Sequence, residues 1–476
     1  MKKYRLRYAP SPTGFLHIGN TRTALMNYLF AKHYDGDFIV RIEDTDLERN
    51  VDGAIDSQFD NLKWLGIIPD ESFLNPKEAY GEYMQSRKFQ IYKDMAMKLV
   101  NEGKAYKCYC TPEQLELERN RQLENGILAP KYAGTCRTLK NDENNKDYNI
   151  RFKVPENKIY KINDLVRGLV EFDSKEIGDF VILKTNGIAT YNFAVVVDDY
   201  DMKISHVVRG EEHISNTPRQ CMIYEAFNWD MPVFCHLTLI VDDTKKKLSK
   251  RSGNSLFFIS QYREKGYLPE AIFNYISLLG WSPSGEQEIF ERNELINIFD
   301  EKRFSKSPST FDVMKLKWIN SQWMKKLTEE EYLSFTKKFI DKENFDIDSK
   351  NESWLNDVLL LFKKELEFGA QINAHLNMFF DSQHINEETL KQLSDFSDYK
   401  IMLHDFKEKL KSLVTFDEKE IKSLIKDMGI KHNRKGKDLF MPLRICSTLS
   451  EHGPELAKTI MLIGRDNVIK NIESLV

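Results

Sequence analysis

The chain has 476 residues, of which 41% are hydrophobic, and its formal net charge is −4. This length predicts three or four domains of ~100–200 residues each. The hydrophobic content is high enough for packed cores, which excludes a largely disordered chain. No stretch approaches the ~20 apolar residues of a membrane span, and the acidic balance argues against a nucleic-acid binder unless its Lys and Arg are gathered on one face.

The first predicted element is a short buried strand from Arg5 to Tyr8, which begins so early that we expect no signal peptide. The turn-rich string APSPTGFLHIGN (9–20) follows, and helical spacing of apolar residues predicts a helix from Thr21. His17 and Gly19 therefore fall at a strand-to-helix junction, where backbone N–H groups and the helix dipole favour a phosphate. Gly19 would allow close approach of a nucleotide, and His17 would donate a hydrogen bond to a phosphate oxygen. The alternative is an ordinary glycine turn with a capping histidine.

Residues 1–105 alternate strand and helix signals, which predicts a doubly wound sheet. Residues 106–187 differ, because a charged helix-like stretch precedes strand-like alternation at 150–154 and 168–172. We therefore expect a mixed α and β insertion. The sheet is expected to resume with the apolar run 188–197.

A cationic loop at 245–251 (KKKLSKR) follows the apolar, strand-like run 234–241. This order places the loop at the carboxyl end of a strand, where α/β sheets bind ligands. Such a loop can close over a triphosphate and neutralise the departing pyrophosphate. The alternative is a solvated run of charges. The chain then reads as helical over 256–322 and almost wholly helical over 323–476.

Three of the six cysteines are close enough in sequence to form a site. Cys108 and Cys110 place two sulfurs on one side of an extended segment, and Cys136 follows 26 residues later. Three thiolates could hold zinc and staple an insertion that has little core of its own. Water could complete such a site, and three unligated thiols in a reducing cell are the alternative. The other cysteines are isolated and are predicted to be packing residues: Cys221, Cys235 and Cys446.

Together the two motifs resemble the signatures of class I aminoacyl-tRNA synthetases. Four further strings resemble glutamyl-tRNA synthetase: PSPTG (10–14), FIVRIEDTD (38–46), TYNFAVVVDD (190–199) and VRGEEH (208–213). The likeness covers nearly the whole chain and is strongest over the first 330 residues. It departs at Asn20, where class I enzymes often have a second His and this family commonly Gly, so the role of position 20 is left open.

The resemblance implies an α/β multidomain protein. Its Rossmann-like, doubly wound parallel catalytic sheet would occupy 1–105 and 188–255. An inserted α+β domain for the tRNA acceptor end would occupy 106–187 and would hold the zinc site. A helical stem-contact domain (256–322) and an all-α anticodon-binding region (323–476) would follow.

Site residues are implied by the same resemblance. A site for glutamate should offer two cations and an anion, since glutamate has two carboxylates and an ammonium. The implied glutamate contacts are Arg7, Ser11, Glu43, Tyr191 and Arg209, with Glu43 taking the amino group. The implied ATP contacts are His17, Gly19, Glu212, Lys247, Ser249, Lys250 and Arg251, of which His17, Lys247 and Lys250 would be catalytic. Which arginine holds the side-chain carboxylate stays open.

Two further sets of residues follow from the family pattern. Some bacterial members bind zinc through Cys-x-Cys followed by Tyr-x-x-x-Cys, which would add Tyr132 to the three cysteines. The basic segment KHNRKGK (431–437) resembles part of the anticodon-binding domain, and its implied tRNA contacts are Lys431, Arg434, Lys435, Lys437 and Arg444. A solvated loop is the alternative for that segment. Four acidic residues are expected to cap helices and pair with basic neighbours rather than bind metal: Asp44, Asp46, Asp198 and Asp199.

The implied activity is that of a glutamate–tRNA ligase. ATP with Mg²⁺ would activate L-glutamate to glutamyl-adenylate, and glutamate tRNA would then accept the glutamyl group at its 3′ end. A cytoplasmic monomer without a membrane partner is expected, and the few, unevenly spaced cysteines agree with a reducing compartment. The alternatives are an enzyme that also glutamylates glutamine tRNA, a glutaminyl-tRNA synthetase and an inactive RNA-binding paralogue. The helical tail counts against a glutaminyl enzyme, whose C-terminal half is built of β-barrels.

Overall fold

The structure is a computed structural model that describes residues 3–139, 147–249, 256–380, 385, 387–396 and 398–475. Within these residues the strands are β1 (Arg5–Tyr8), β2 (Asp37–Val40), β3 (Ala105–Cys108), β4 (Asn149–Phe152), β5 (Ile159–Asp164), β6 (Gly168–Asp173), β7 (Phe180–Leu183), β8 (His206–Gly210), β9 (Val233–Leu237), β10 (Ile240–Val241) and β11 (Ser309–Thr310). Short 3₁₀ turns connect several of the elements.

The helices among the described residues are α1 (Ile18–His33), α2 (Ala54–Trp64), α3 (Phe89–Asn101), α4 (Pro112–Glu124), α5 (Tyr191–Asp201), α6 (Thr217–Ala226), α7 (Ile259–Glu264), α8 (Pro269–Ser277), α9 (Arg292–Ile298), α10 (Val313–Lys326), α11 (Glu329–Thr336), α12 (Glu352–Leu361), α13 (Ile372–Leu376), α14 (Glu387–Ser394), α15 (Tyr399–Ser412), α16 (Glu418–Lys431), α17 (Lys437–Thr448), α18 (Leu456–Ile463) and α19 (Arg465–Glu473). None of them is both long and apolar enough to cross a membrane.

A four-stranded parallel sheet in the order β2-β1-β8-β9 forms the centre of the first part of the chain. All residues of β1 and β2 are buried, as expected for parallel strands covered on both faces. The chain leaves β1 toward one side for β2 and returns on the other side as β8. The switch point therefore lies between β1 and β8, where open α/β sheets bind ligands. This order confirms the predicted Rossmann-like sheet.

The apolar run expected to resume the sheet at 188–197 is instead helical from Tyr191 onward, which corrects the sequence prediction. It forms α5, in which every residue from Phe193 to Asp199 is buried. A short, continuously apolar run does not distinguish a buried strand from a helix that is covered on all sides. The predicted strand at 234–241 is present as two pieces, β9 and β10, and β10 pairs with β11.

The insertion has the predicted mixed character. Strands β3, β4 and β7 form an antiparallel sheet, and β5 and β6 form a separate hairpin. Helix α4 begins at Pro112 because Thr111 and Gln114 form a capping box and proline suits the first helical turn. A small cluster around Tyr106, Cys108 and Cys136 is buried beside this helix and sheet.

The chain divides into two compact units, Met1–Gln261 with Ile272–Val313, and Tyr262–Ala271 with Met314–Val476. From 314 to 475, every regular element in the described residues is helical, which confirms the predicted all-α region. In α16 the buried residues are Ile421, Leu424, Ile425 and Met428, a spacing that forms one apolar stripe. The proposed division of the whole chain into four parts stays a prediction.

Candidate active site

His17 forms the N-cap of α1. Its Nδ1 accepts hydrogen bonds from the backbone N–H groups of Gly19 (3.1 Å) and Asn20 (3.3 Å), and its ring stacks on Phe257. Because Nδ1 is an acceptor, a neutral imidazole carries its hydrogen on Nε2. The N–H of Ile18 donates to the Phe257 carbonyl at 3.2 Å. The first-turn N–H groups that were expected to face a phosphate are thus engaged within the protein.

The space beside Gly19 is occupied by the imidazole of His17. A Cβ at this position would lie 3.1 Å from Cε1 and 3.3 Å from Nδ1 of His17. That separation is tighter than ordinary van der Waals contact, so a side chain would require the imidazole to shift by a few tenths of an ångström. The structural reason for glycine is therefore the seating of His17, which the sequence analysis did not foresee.

A cavity of about 430 Å³ lies at the carboxyl ends of β1 and β8, at the switch point of the sheet. The five residues predicted to contact glutamate all lie on its wall: Arg7, Ser11, Glu43, Tyr191 and Arg209. The predicted set thus supplies two of the three guanidinium groups and one of the three carboxylates on this wall, the others being Arg49, Asp46 and Glu212. Asn20, whose role was left open, also lies on this wall.

Arg7 is buried and is held by a carboxylate. Its Nε lies 3.1 Å from Oδ1 of Asp199, and its Nη2 donates to Oδ2 at 3.2 Å. Asp199 also accepts a 2.6 Å hydrogen bond from Arg41. Burial alone would raise the pKa of Asp199, but the two guanidinium groups lower it below its usual value.

Arg41 is fully buried and also holds Glu43, whose Oε1 accepts from Nη2 at 3.0 Å. Burial raises the pKa of Glu43 above its usual value of 4.5, although Arg41 acts in the opposite direction. Arg41 was missed from the sequence. The sequence signal for Arg41 was the presence of an arginine inside the apolar run FIVRIED. Arginine is almost never fully buried unless it is paired with an anion.

Arg209 is held by neutral groups. Its Nε donates to Nε2 of His236 at 3.2 Å, its Nη2 donates to Oγ1 of Thr217 at 2.8 Å, and its Nη1 reaches Oη of Tyr191 at 3.4 Å. The Tyr191 hydroxyl is also 3.2 Å from Nδ1 of His213. Burial lowers the pKa of Arg209 and lowers that of His213 to about 4. His213, Thr217 and His236 were not predicted as site residues.

A second cavity, of about 710 Å³, adjoins the first, and Ser11, Asn20 and Glu212 line both. The residues predicted to contact ATP that line this second cavity are His17, Gly19, Glu212, Lys247 and Ser249. The backbone of Leu248 donates to Ile240 at 3.0 Å, which fixes Lys247 beside the end of β10. Lys250 and Arg251 lie outside the described residues.

The three cysteines of the insertion converge. The Sγ atoms of Cys108, Cys110 and Cys136 all lie within 4.8 Å of one another, and the Cys110–Cys136 distance is 3.5 Å. Oη of Tyr132 is 3.4 Å from the sulfurs of both Cys108 and Cys110. Tetrahedral zinc with ordinary bond lengths separates two sulfurs by about 3.8 Å and a sulfur from an oxygen by about 3.5 Å. The cluster therefore fits zinc, with Tyr132 oxygen close to the fourth position.

Arg151 borders this cluster and was not predicted. Its Nε donates to Sγ of Cys108 at 3.2 Å, and its guanidinium lies 4.0 Å from the ring centre of Tyr132. Burial would raise the pKa of Cys108, but hydrogen bonds with Tyr132 and Arg151 bring it below the usual value. This favours the thiolate of Cys108, the form that binds a metal, whereas burial raises the pKa of Cys110 to about 11.

The acidic residues considered as metal ligands mostly pair within the protein. Asp198 accepts from Lys88 at 2.7 Å, and Asp199 joins the arginine pair described above. Asp44 accepts from the backbone N–H and hydroxyl of Ser86 at 2.8 and 2.6 Å. Asp46 is 3.5 Å from Arg49 but does not cap the following 3₁₀ turn through its side chain. The predicted pairing with basic neighbours is present for Asp46, Asp198 and Asp199, whereas the partner of Asp44 is Ser86.

In the helical unit, Arg434, Lys435 and Arg444 line a cavity of about 880 Å³ at α16 and α17, together with the half-exposed Phe440. Nη2 of Arg444 donates to the Pro454 carbonyl at 2.7 Å, so this side chain also ties the chain together. The two other predicted tRNA contacts differ: Lys431 forms a 2.6 Å ion pair with Asp405, and Lys437 is the first residue of α17.

Comparison with known proteins assigns the two parts of the chain. Residues 3–318 match the family model for tRNA synthetases class I (E and Q), catalytic domain, and residues 323–476 match the anticodon binding domain. Glutamate–tRNA ligases of Mycoplasma capricolum subsp. capricolum and Geobacillus thermodenitrificans are 64% and 49% identical to this chain. Each alignment covers 99% of this chain, with 99% and 98% of the respective relative.

A solved structure shares the whole fold. The crystal structure of a glutamate tRNA ligase from Elizabethkingia meningosepticum, in complex with its amino acid, has a TM-score of 0.88 and 34% sequence identity, and the match covers 99% of both chains. The order of the parallel sheet and the helical second unit are consistent with the two family models and with this solved structure. The chain therefore belongs to the glutamate–tRNA ligase family of the class I tRNA synthetases.

Proposed function

We propose that this chain is a glutamate–tRNA ligase, which uses ATP to convert L-glutamate to glutamyl-adenylate and transfers the glutamyl group to the 3′ end of tRNA. The observation that carries the proposal is the pair of adjoining cavities at the switch point. The wall of the first includes the three charged residues expected for glutamate, Arg7, Arg209 and Glu43, and the wall of the second includes His17 and Lys247. This combination matches the charges of glutamate and of a triphosphate.

The glutamate cavity has the charge pattern of its substrate. Glu43 receives the ammonium group, and its burial beside Arg41 leaves a carboxylate in a low-dielectric wall. Arg7 is already compensated by Asp199, whereas the hydrogen-bond partners of Arg209 are neutral groups. Arg209 therefore has the larger uncompensated charge, and we assign it a substrate carboxylate.

Activation is an in-line displacement at the α-phosphorus of ATP. An oxygen of the glutamate α-carboxylate forms the new P–O bond, and the bond to pyrophosphate breaks. No general base is required, because the nucleophile is already ionised, so catalysis depends on positioning and electrostatic stabilisation. His17, with its hydrogen on Nε2, and Lys247 stabilise the charge that develops on the phosphates. In the second step a terminal ribose hydroxyl of tRNA attacks the acyl carbon and AMP leaves.

Mg²⁺ accompanies the nucleotide in this proposal. Among the residues that line the nucleotide cavity, Glu212 offers a carboxylate oxygen, the type of ligand that Mg²⁺ prefers. When bound, the ion neutralises phosphate charge.

Zinc has a structural role in this proposal. Cys108, Cys110 and Cys136 hold it, and the oxygen of Tyr132 or a water molecule completes the tetrahedron. The site staples the end of β3 to the segment after α4. The insertion then receives the tRNA acceptor end, and the basic cavity of the helical unit receives the anticodon.

The test is glutamylation of purified glutamate tRNA and, separately, glutamine tRNA. We expect charging of glutamate tRNA and a loss of about 10²- to 10³-fold in kcat for His17→Ala, the size expected when one donor to developing charge is removed. His404→Ala, which changes an exposed histidine on α15, is the matched control and should retain activity. Charging of glutamine tRNA as well would identify a relaxed tRNA specificity. A wild-type chain that charges neither tRNA contradicts the proposal.

A further inference from the structure

The β5–β6 hairpin of the insertion docks on the central sheet. The N–H of Leu165, in the hairpin turn, donates to the carbonyl of Phe234 in β9 at 3.0 Å. Asp164, the last residue of β5, accepts from the backbone N–H of His236 at 3.1 Å. The side chains of Asp164 and His236 are each 1% exposed. Both side chains of this contact are therefore shielded from solvent.

The same turn also holds the segment that follows β8. Arg167 forms an ion pair with Glu211, and Glu211 in turn accepts from the N–H of Leu239 at 2.9 Å. Leu239 lines the nucleotide cavity. The hairpin is thus anchored at two points, one on β9 and one immediately after the strand that carries Arg209.

A directed chain of hydrogen bonds leads from the hairpin to the glutamate cavity. Nδ1 of His236 is 2.6 Å from Oδ2 of Asp164, and Nε2 of His236 is 3.2 Å from Nε of Arg209. An arginine Nε–H can only donate, so Nε2 of His236 is the acceptor. Nδ1 of His236 therefore carries the ring hydrogen and donates it in a hydrogen bond to Oδ2 of Asp164. The carboxylate therefore sets the tautomer of His236, and that tautomer presents an acceptor to Arg209.

The guanidinium of Arg209 must be held in one orientation to bind a carboxylate of the ligand. A free arginine side chain has many rotamers, and its planar fork binds a carboxylate well only in one orientation. His236 at Nε and Thr217 at Nη2 hold two corners of this fork. The remaining Nη1 edge lies toward Tyr191, which is itself on the cavity wall.

We propose that Asp164 and His236 are positioning residues for glutamate recognition, through which the inserted hairpin fixes the orientation of the Arg209 guanidinium. This inference rests on the proposed function, because it assigns Arg209 a substrate carboxylate. It adds a buried pair from two different segments of the chain to the residues that determine affinity for the amino acid.

The first test is Asp164→Asn. The amide retains one oxygen for the turn but places an NH₂ group opposite Nδ1 of His236. His236 then binds best as the other tautomer, with its hydrogen on Nε2, and a donor faces the donor of Arg209. We expect the KM for glutamate to rise about 10- to 100-fold, because a charge-assisted contact is misdirected. The KM for ATP should change much less.

The second test compares His236→Leu with His236→Gln. Leucine removes the acceptor for Arg209 and should raise the KM for glutamate as Asp164→Asn does. Glutamine retains an oxygen of similar reach and should restore part of the affinity. His206→Gln is the matched control, since His206 lies on the neighbouring strand β8 and faces Tyr4 and Phe30. KM does not depend on the active fraction, so partial misfolding of a variant leaves the comparison valid.

These measurements separate two failures. A wild-type chain that glutamylates no tRNA would overturn the proposed function together with this assignment. A wild-type chain that is active, with an unchanged KM for glutamate in both Asp164→Asn and His236→Leu, would overturn the positioning role alone. A rise in the KM for glutamate in both variants, with partial rescue by glutamine, supports it.

Discussion

At the scale of single residues, Arg41 organises the charged wall of the glutamate cavity. It contacts Glu43 at 3.0 Å, Asp199 at 2.6 Å and Asp198 at 3.6 Å without any exposed surface of its own. Asp199 then holds Arg7, so a cation and an anion of the cavity depend on one buried side chain. Removing a member of such a group leaves a buried charge uncompensated, which costs about 3–5 kcal/mol.

Gly19 gives a prediction at this scale. Alanine suits the first turn of α1, so Gly19→Ala should not lower thermal stability. Its Cβ would lie 3.1 Å from Cε1 of His17, however, so the imidazole would have to shift by a few tenths of an ångström within the nucleotide cavity. We expect kcat for glutamylation to fall about 10- to 100-fold at an unchanged melting temperature. Gly14→Ala, in the same loop but with nothing within 4 Å of the added carbon, should be much less impaired. Equal activity of the two variants would contradict this account.

Some site residues could be predicted from a local sequence motif, and others could not. His17, Lys247 and Arg209 belong to recognisable strings, and the structure brings them to two adjoining cavities. Asp164 and His236 belong to no such string, because their role depends on an interaction between segments 72 residues apart. A spacing that large contains no local periodicity, so sequence reasoning had no signal for the pair.

At the scale of elements, segments with a clear local signal were predictable. Strand β1 and the charged helix α4 agree with the sequence prediction, since alternation and a charged helical stretch mark them locally. Helix α5 was mistaken for a strand, because burial on all sides removes the polar face that reveals helical period. The missing information was therefore about tertiary surroundings, not about local propensity.

The insertion gives a prediction about an element. Its buried cluster around Cys108 and Cys136 is small, so a bound zinc ion should contribute strongly to its stability. We expect about one zinc per purified chain. Cys110→Ser or treatment with a chelator should remove it and open the insertion to protease. Zinc content by elemental analysis is the measurement, with Cys446→Ser, a buried isolated cysteine, as the variant that retains the metal. Full resistance to protease in a zinc-free chain would contradict the structural role.

At the scale of the whole molecule, the net charge of −4 conceals an uneven distribution. Arg434, Lys435 and Arg444 share one cavity of the helical unit with the aromatic ring of Phe440. Cations beside an exposed aromatic ring suit phosphates and unstacked bases. The acidic composition, taken alone, would have argued against a nucleic-acid partner, so our expectation of tRNA binding rests on the local arrangement of charges and not on their total.

The last prediction concerns tRNA binding by the intact chain. Arg434→Ala combined with Lys435→Ala should weaken tRNA binding and reduce its dependence on salt. For single-stranded RNA, the slope of log K against log salt should become shallower by about 0.7 for each phosphate that the variant no longer neutralises. Fluorescence anisotropy with labelled glutamate tRNA at several salt concentrations measures this slope, and the KM for glutamate should stay unchanged. Lys391→Ala, an exposed lysine on α14, is the control. An identical slope in the double variant and the wild type would show that this cavity binds no phosphate.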